Sequence, residues 1–157
     1  MTGTLLSFGH GYSAQALTRL LLPQGWTVSG TTRTSAKAEA LAATGVIPAI
    51  WPGADMASAL DSATHLLISA APNDGGDPVL RELAPQIAER ASRFQWVGYL
   101  STTGVYGDNS GDWVDENSPL TPATKRGQAR VEAEAAWAAI PGLPLHIFRL
   151  AGIYGPG

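Results

Sequence analysis

Short apolar runs recur along the chain, and between them apolar positions fall at helical spacing. Residues 4–8 (TLLSF) predict a buried strand, and residues 13–22 a helix with Ala14, Leu17 and Leu21 at i, i+3 and i+7. Pro23-Gln24-Gly25 stops that helix, and residues 26–31 (WTVSGT), rich in β-branched and aromatic types, predict a second strand. An alanine-rich helix over 35–43 follows, then a strand over 46–50, a brief helix over 55–60 that Asp55 can cap, and a strand over 65–70. Beyond a Gly-, Asp- and Pro-rich loop at 72–78 comes a helix over 79–93 with a kink at Pro85. Residues 95–101 form the fifth strand, 103–122 a long loop, 123–140 the longest helix and 145–149 the sixth strand. Such alternation predicts a parallel sheet with helices on both faces and right-handed crossovers. The expected fold class is α/β, doubly wound, in the order 3-2-1-4-5-6.

Composition narrows the function. The 157 residues suit one domain. Ten Lys and Arg against 13 Asp and Glu leave a net charge of −3, which argues against sequence-independent nucleic-acid binding. The 18 glycines and 11 prolines exceed the usual combined share of ~12% and imply many tight connections. With no cysteine there is no disulfide frame and no thiolate chemistry. The first residues, 1–11, lack the basic start and apolar core of a signal peptide, and no apolar run reaches the ~18 residues of a membrane span. A cytoplasmic protein without a membrane partner is expected.

The chemistry begins at the first strand-to-helix turn. Gly9-His10-Gly11-Tyr12-Ser13-Ala14 reads G-x-G-x-x-A between a predicted strand and a predicted helix. Gly9 permits the tight turn, Gly11 admits a pyrophosphate to the backbone, and Ala14 lets the helix pack closely. The phosphates would sit at the helix N-terminus, where N–H groups and the dipole favour an anion. His10 reads as a solvent-facing turn residue. A dinucleotide is therefore the expected partner.

The end of the second strand selects between dinucleotides. An acid there would hold the ribose 2′-hydroxyl of NAD. The chain has Gly30-Thr31-Thr32-Arg33 instead. Arg33 can pair with a 2′-phosphate through its planar fork, with hydroxyl contacts from Thr31 and Thr32. NADP is favoured over NAD, and a solvated Arg33 is the alternative. The missing acid also counts against an S-adenosylmethionine site. Asp55 and Met56 are expected to flank the adenine. Ala70 and Ala71, at the carboxyl end of the fourth strand, are expected beside the middle of the cofactor.

The segments SFGHGYSA at 7–14, GTTR at 30–33, LSTTGVYGD at 100–108 and FRLAGIYGPG at 148–157, with the acidic loop WVDENSPLTP at 113–122, resemble the extended short-chain dehydrogenase/reductase family, the NAD(P)-dependent epimerase/dehydratase group. The glycine turn departs from that group's commoner G-x-x-G-x-x-G and is similar to its atypical members. The resemblance implies a Rossmann fold over 1–157 that binds NAD(P). It implies a further C-terminal portion for the substrate, beginning where this sequence stops and missing from it. It also implies a carbonyl or sugar-nucleotide-like substrate and a homodimer through the 123–140 helix.

The resemblance places Thr102, four residues before Tyr106, where a hydroxyl hydrogen-bonds the reacting oxygen. The competing reading is that Ser101, Thr102 and Thr103 only satisfy backbone groups at the strand end. The family's acid/base Tyr-x-x-x-Lys falls on Arg126 and Arg130. Arginine stays protonated, so Arg126 cannot exchange a proton, whereas Arg130 can hold ribose hydroxyls. Tyr12, Tyr106, Tyr154 and His146 are replacement acids only by elimination, and His146 reads as a buried core group. An enzyme with an unidentified proton donor and a non-catalytic NADP sensor or interaction module both stay open.

Other polar and aromatic residues have plainer readings. Trp51, Trp96 and Trp137 read as packing residues, and Trp113 as packing or a lid. Asp108, Asp112, Asp115 and Glu116 lack the ligand rhythm of a calcium loop, and the histidines at 10, 65 and 146 lack zinc spacing, so no metal is expected.

Overall fold

A computed structural model describes residues 2–156. Met1 of the N-terminal stretch and Gly157 of the 148–157 segment lie outside the described residues. Six strands, β1 (Thr4–Phe8), β2 (Thr27–Thr32), β3 (Ile47–Ile50), β4 (His65–Ile68), β5 (Trp96–Thr102) and β6 (Leu145–Leu150), form one sheet. All pairs are parallel and the order is β3-β2-β1-β4-β5-β6, as the alternation predicts. The register aligns Ser7 with Gly30 and Phe8 with Ile68. The carboxyl ends of β1, β2 and β4 therefore open on one edge, where doubly wound sheets hold ligands.

Five helices connect the strands: α1 (Tyr12–Leu21), α2 (Ser35–Ala42), α3 (Ala57–Ser62), α4 (Pro78–Glu89) and α5 (Lys125–Ala138). Their starts follow from capping chemistry. Asp77 accepts from the N–H groups of Val79 and Leu80 at 2.9 and 3.0 Å, with Pro78 supplying a preset φ at the first helical position. Thr124 caps α5 through Gly127 N–H at 3.0 Å. The predicted 79–93 helix divides into α4, which contains Pro85, and a 3-10 turn at Ala91–Arg93.

The two sheet faces bury different residues because strand side chains alternate. Leu6, Phe8, Leu66, Ile68, Val97 and Tyr99 face α3, α4 and α5, with Trp137 fully buried among them. The Trp137 indole N–H donates to Asp77 Oδ2 at 3.1 Å and fastens α5 to the start of α4. On the other face Leu5, Val28 and Leu67 pack against Ala14 of α1 and Leu41 of α2. Farther along that face Trp96 stacks on His146 at 6.1 Å between ring centroids and lies 6.0 Å from Phe148. His146 is exposed there, contrary to its reading as a core residue, because its strand position points to a face that α1 and α2 do not reach. Trp113 is also fully exposed and packs into no core. No helix is long and apolar enough to cross a membrane among the described residues.

Candidate dinucleotide cleft

The glycine turn at the end of β1 is held by β2. Gly9 N–H donates to Thr31 Oγ1 at 2.9 Å and His10 N–H to the Thr31 carbonyl at 3.1 Å. Gly9 has φ +79°, and a Cβ there would lie 2.7 Å from the Ala70 nitrogen. Only glycine meets both demands, so β1 can turn directly above the end of β4. Gly11 then starts α1 without a side-chain cap, leaving the first helical N–H groups for an anion. Ala14 is fully buried on the face of α1 that packs on the sheet, as its small size predicts.

Around this turn lies a cleft of about 850 Å³. A small-molecule site commonly spans ~300–1,000 Å³. Gly9, His10 and Gly11 form its floor, and Thr31, Thr32, Arg33, Thr34 and Lys37 one wall. Trp51 and Pro52 follow from the end of β3, and Ser69, Ala70 and Ala71 from the end of β4. Asn73, Pro78 and Arg81 close the remaining side. Among the described residues its walls carry three cations and no carboxylate. Arg33 and Lys37 are exposed and, among the described residues, in no ion pair. Arg81 leans on Asn73 Oδ1 at 3.4 Å and on Glu82 at 3.7 Å.

The fold thus brings together Gly9, His10, Gly11, Thr32, Arg33, Ala70 and Ala71. Three expectations change. His10 is not solvent-facing: its ring is buried against Gly30, with Nε2 3.3 Å from Thr18 Oγ1. Met56 is buried in the core, and Asp55 accepts from Ala57 N–H at 2.9 Å at the start of α3. Neither lines the cleft; Trp51 and Pro52 occupy that wall. Tyr12 stands beside the turn and donates to the Pro156 carbonyl at 3.3 Å.

Arg130, expected to hold ribose hydroxyls, instead donates to the Leu100 carbonyl at 2.6 Å and to Tyr99 OH at 3.2 Å. It is buried, with its guanidinium 5.6 Å from the Tyr99 ring centroid. Burial pushes the Tyr99 phenol up to about 12, against the opposing charge of Arg130. Arg126 is exposed. Thr102 is half-buried, and its hydroxyl accepts from Gly104 N–H at 3.2 Å, capping the 3-10 turn Thr103–Tyr106. That bond leaves the hydroxyl proton of Thr102 free to donate.

Beside this strand end lies a buried network that the spacing did not reveal. Arg149 donates to both oxygens of Glu134, at 2.8 Å to Oε2 through Nη2 and at 3.3 Å to each through Nε. Ser101 donates to the same carboxylate, and Arg149 reaches Tyr106 OH at 3.0 Å. The Glu134 carboxylate and Tyr106 hydroxyl raise the Arg149 pKa despite its burial. Lys37, Trp51, Pro52, Asn73 and Arg81 were likewise missed as cleft residues. Lys37 alone had a legible signal, lying in the first turn of the helix that follows Arg33.

No protein-family model matches the chain. The chain is 31% identical over 160 residues to Protein YeeZ of Escherichia coli K12, covering 95% of this chain and 58% of that protein. A functionally unknown conserved protein of Silicibacter pomeroyi superposes with a TM-score of 0.94 and is 62% identical, over 98% of this chain and 54% of that one. UDP-glucuronic acid 4-epimerase of Bacillus cereus, solved with NAD, superposes with a TM-score of 0.79 at 19% identity, over 98% of this chain and 58% of that one. The chain spans 54–58% of the length of these proteins. Other structural neighbours are described as epimerases, a putative NAD-dependent epimerase/dehydratase and a reductase, and over most of its length the chain shares their fold.

Proposed function

We propose that the chain is the NAD(P)-binding domain of an epimerase-, dehydratase- or reductase-like enzyme and prefers NADP. The cleft carries this reading: a glycine turn faces Arg33 and Lys37, and no carboxylate stands among the described wall residues to receive a 2′-hydroxyl. A 2′-phosphate placed there meets two cations, and charge-assisted bonds to phosphate are about twice as strong as neutral ones. The NAD held by the Bacillus epimerase supports a nicotinamide dinucleotide in this fold. Such a cofactor supplies hydride transfer; the chain's own residues bind and orient it. The α1 N–H groups would hold the pyrophosphate and Thr102 would donate to the reacting oxygen. The pocket for the substrate, a carbonyl or sugar-nucleotide-like molecule, would be completed by the further length that the relatives possess. A cytoplasmic homodimer is the working assembly, and a monomer mass in solution would remove the dimer.

A second reading, a non-catalytic NADP sensor, draws on Arg126 and Arg130 at the expected acid/base positions and on the engagement of Arg130 with β5. Calorimetric titration with NADP⁺ and NAD⁺ tests cofactor binding and preference. Tighter NADP⁺ binding that Arg33→Ala abolishes supports the first claim, and equal affinities refute the preference. Hydride exchange with a carbonyl panel, measured on this chain extended by the further length that the relatives possess, separates enzyme from sensor.

A further inference from the structure

His10 occupies the position between the two glycines, yet its ring faces the sheet instead of the cleft. A Cβ on Gly30 would lie 2.6 Å from His10 Nδ1 and 2.7 Å from its Cγ, so the ring fills the space that the missing side chain leaves. Nε2 pairs with Thr18 Oγ1 at 3.3 Å, and Nδ1 has no partner among the described residues. Ser7, aligned with Gly30, also has a buried hydroxyl without a partner among the described residues. The His10 backbone N–H donates to the Thr31 carbonyl, and the His10 carbonyl accepts from Gln15 Nε2 at 3.4 Å. His10 therefore joins the dinucleotide turn to β2 and α1 through both ring and backbone.

We propose that His10 is the positioning residue of the dinucleotide turn, holding it in binding shape as a neutral imidazole and releasing it when the ring takes a proton. This rests on the reading that the cleft binds a dinucleotide. A neutral ring suits the pocket. Thr18 Oγ1 can accept a hydrogen bond from Nε2–H, and Nδ1 is then a bare acceptor, with no partner among the described residues for a second N–H. An imidazolium there leaves a buried charge and an unsatisfied donor. The packed elements present Ser7 from β1, Gly30 from β2, and Ala14 and Thr18 from α1, none of them charged. The charged groups sharing the cleft are Arg33, Lys37 and Arg81, all cations. Burial holds the ring below its ordinary value, in agreement. Proton binding thus favours a ring that has left Gly30, and with it a turn that has lost its shape.

The test is calorimetric titration of wild type with NAD⁺ and NADP⁺ between pH 8 and 5.5, with proton NMR of the histidine Hε1 signals in free and bound protein. NAD⁺ lacks the 2′-phosphate, so its arm is free of ligand titration in this range. His65→Gln and His146→Gln assign the other two signals. The expected result is an affinity that falls about tenfold per pH unit below the His10 midpoint, for release of one proton, and a His10 midpoint lowered on binding. His10→Asn should bind more weakly at pH 8 with a flat profile, and His146→Gln should keep the wild-type slope. Thr18→Val, which leaves the ring in place without its hydroxyl partner, should move the fall to higher pH. An affinity that rises in acid, or a His10 midpoint equal in free and bound protein, overturns the proposal whether or not His10→Asn folds. Absence of binding at pH 8 overturns the cofactor reading and this proposal together; binding at pH 8 with an unaltered profile overturns this proposal alone.

Discussion

Arg149 of β6 grips Glu134 of α5 with its nearest contact at 2.8 Å, and the carboxylate is almost wholly buried. Ser101 from β5 donates to the same group. Three elements thus converge at the edge of the sheet beside Thr102. Removing one partner leaves a buried charge, which costs roughly 3–5 kcal/mol. Glu134→Ala should lower the melting temperature by roughly 10 °C, at ~2–4 °C per kcal/mol for a domain of this size. Thermal unfolding by circular dichroism checks it. A change under 2 °C would show that the pair is solvated in solution.

Arg33 and Lys37 flank the same part of the cleft. If both meet a 2′-phosphate, each alanine variant loses a charge-assisted bond worth about 1.5–3 kcal/mol, roughly 10–100-fold in NADP⁺ affinity. NAD⁺ affinity should stay within about twofold, since it has no group for them. Titration of the two single variants reads this directly. Equal losses for both dinucleotides would move these cations to the pyrophosphate.

Gly9 and Gly11 separate folding from binding. Gly9→Ala needs a left-handed alanine pressed against the Ala70 backbone, so it should destabilise the protein by roughly 1–3 kcal/mol. At Gly11 φ is −93° and a Cβ would meet nothing nearer than the Gly9 carbonyl at 4.0 Å. Gly11→Val should therefore keep its melting temperature while losing dinucleotide affinity, because the side chain stands where phosphates approach. Full affinity in that variant would mean that the pyrophosphate does not pass over the turn.

Tyr99 bears on alkaline stability. Its phenol is raised to about 12, chiefly by burial, against an ordinary value of ~10. Above pH ~10 the unfolded chain releases this proton and the folded chain keeps it, so stability declines as pH climbs from 10 to 12. Denaturant unfolding of wild type and Tyr99→Phe across that range should show a steeper decline in wild type. Parallel curves would place the Tyr99 phenol near its ordinary value.

The sheet order, the alternation of six strands with five helices and the glycine turn were all legible in the chain. The elements and the turn are local: TLLSF, the Pro and Gly stops, and G-x-G-x-x-A declare themselves through periodicity and backbone preference within ten residues. The sheet order follows from the doubly wound topology that such alternation takes. Arg33 was legible for the same reason, since a strand end beside the turn is a fixed place in this topology. Tertiary packing decided the rest. Sequence spacing cannot tell whether a turn histidine faces water or the hole left by Gly30, which lies on another strand. Nor can it tell that Arg130 is drawn to the Leu100 carbonyl, or that Glu134 and Arg149 meet, because those pairs form only once α5 lies across β5 and β6. Hydrophobic pattern dictates which elements form and how they order, whereas buried polar groups choose partners only after the sheet has brought distant segments together.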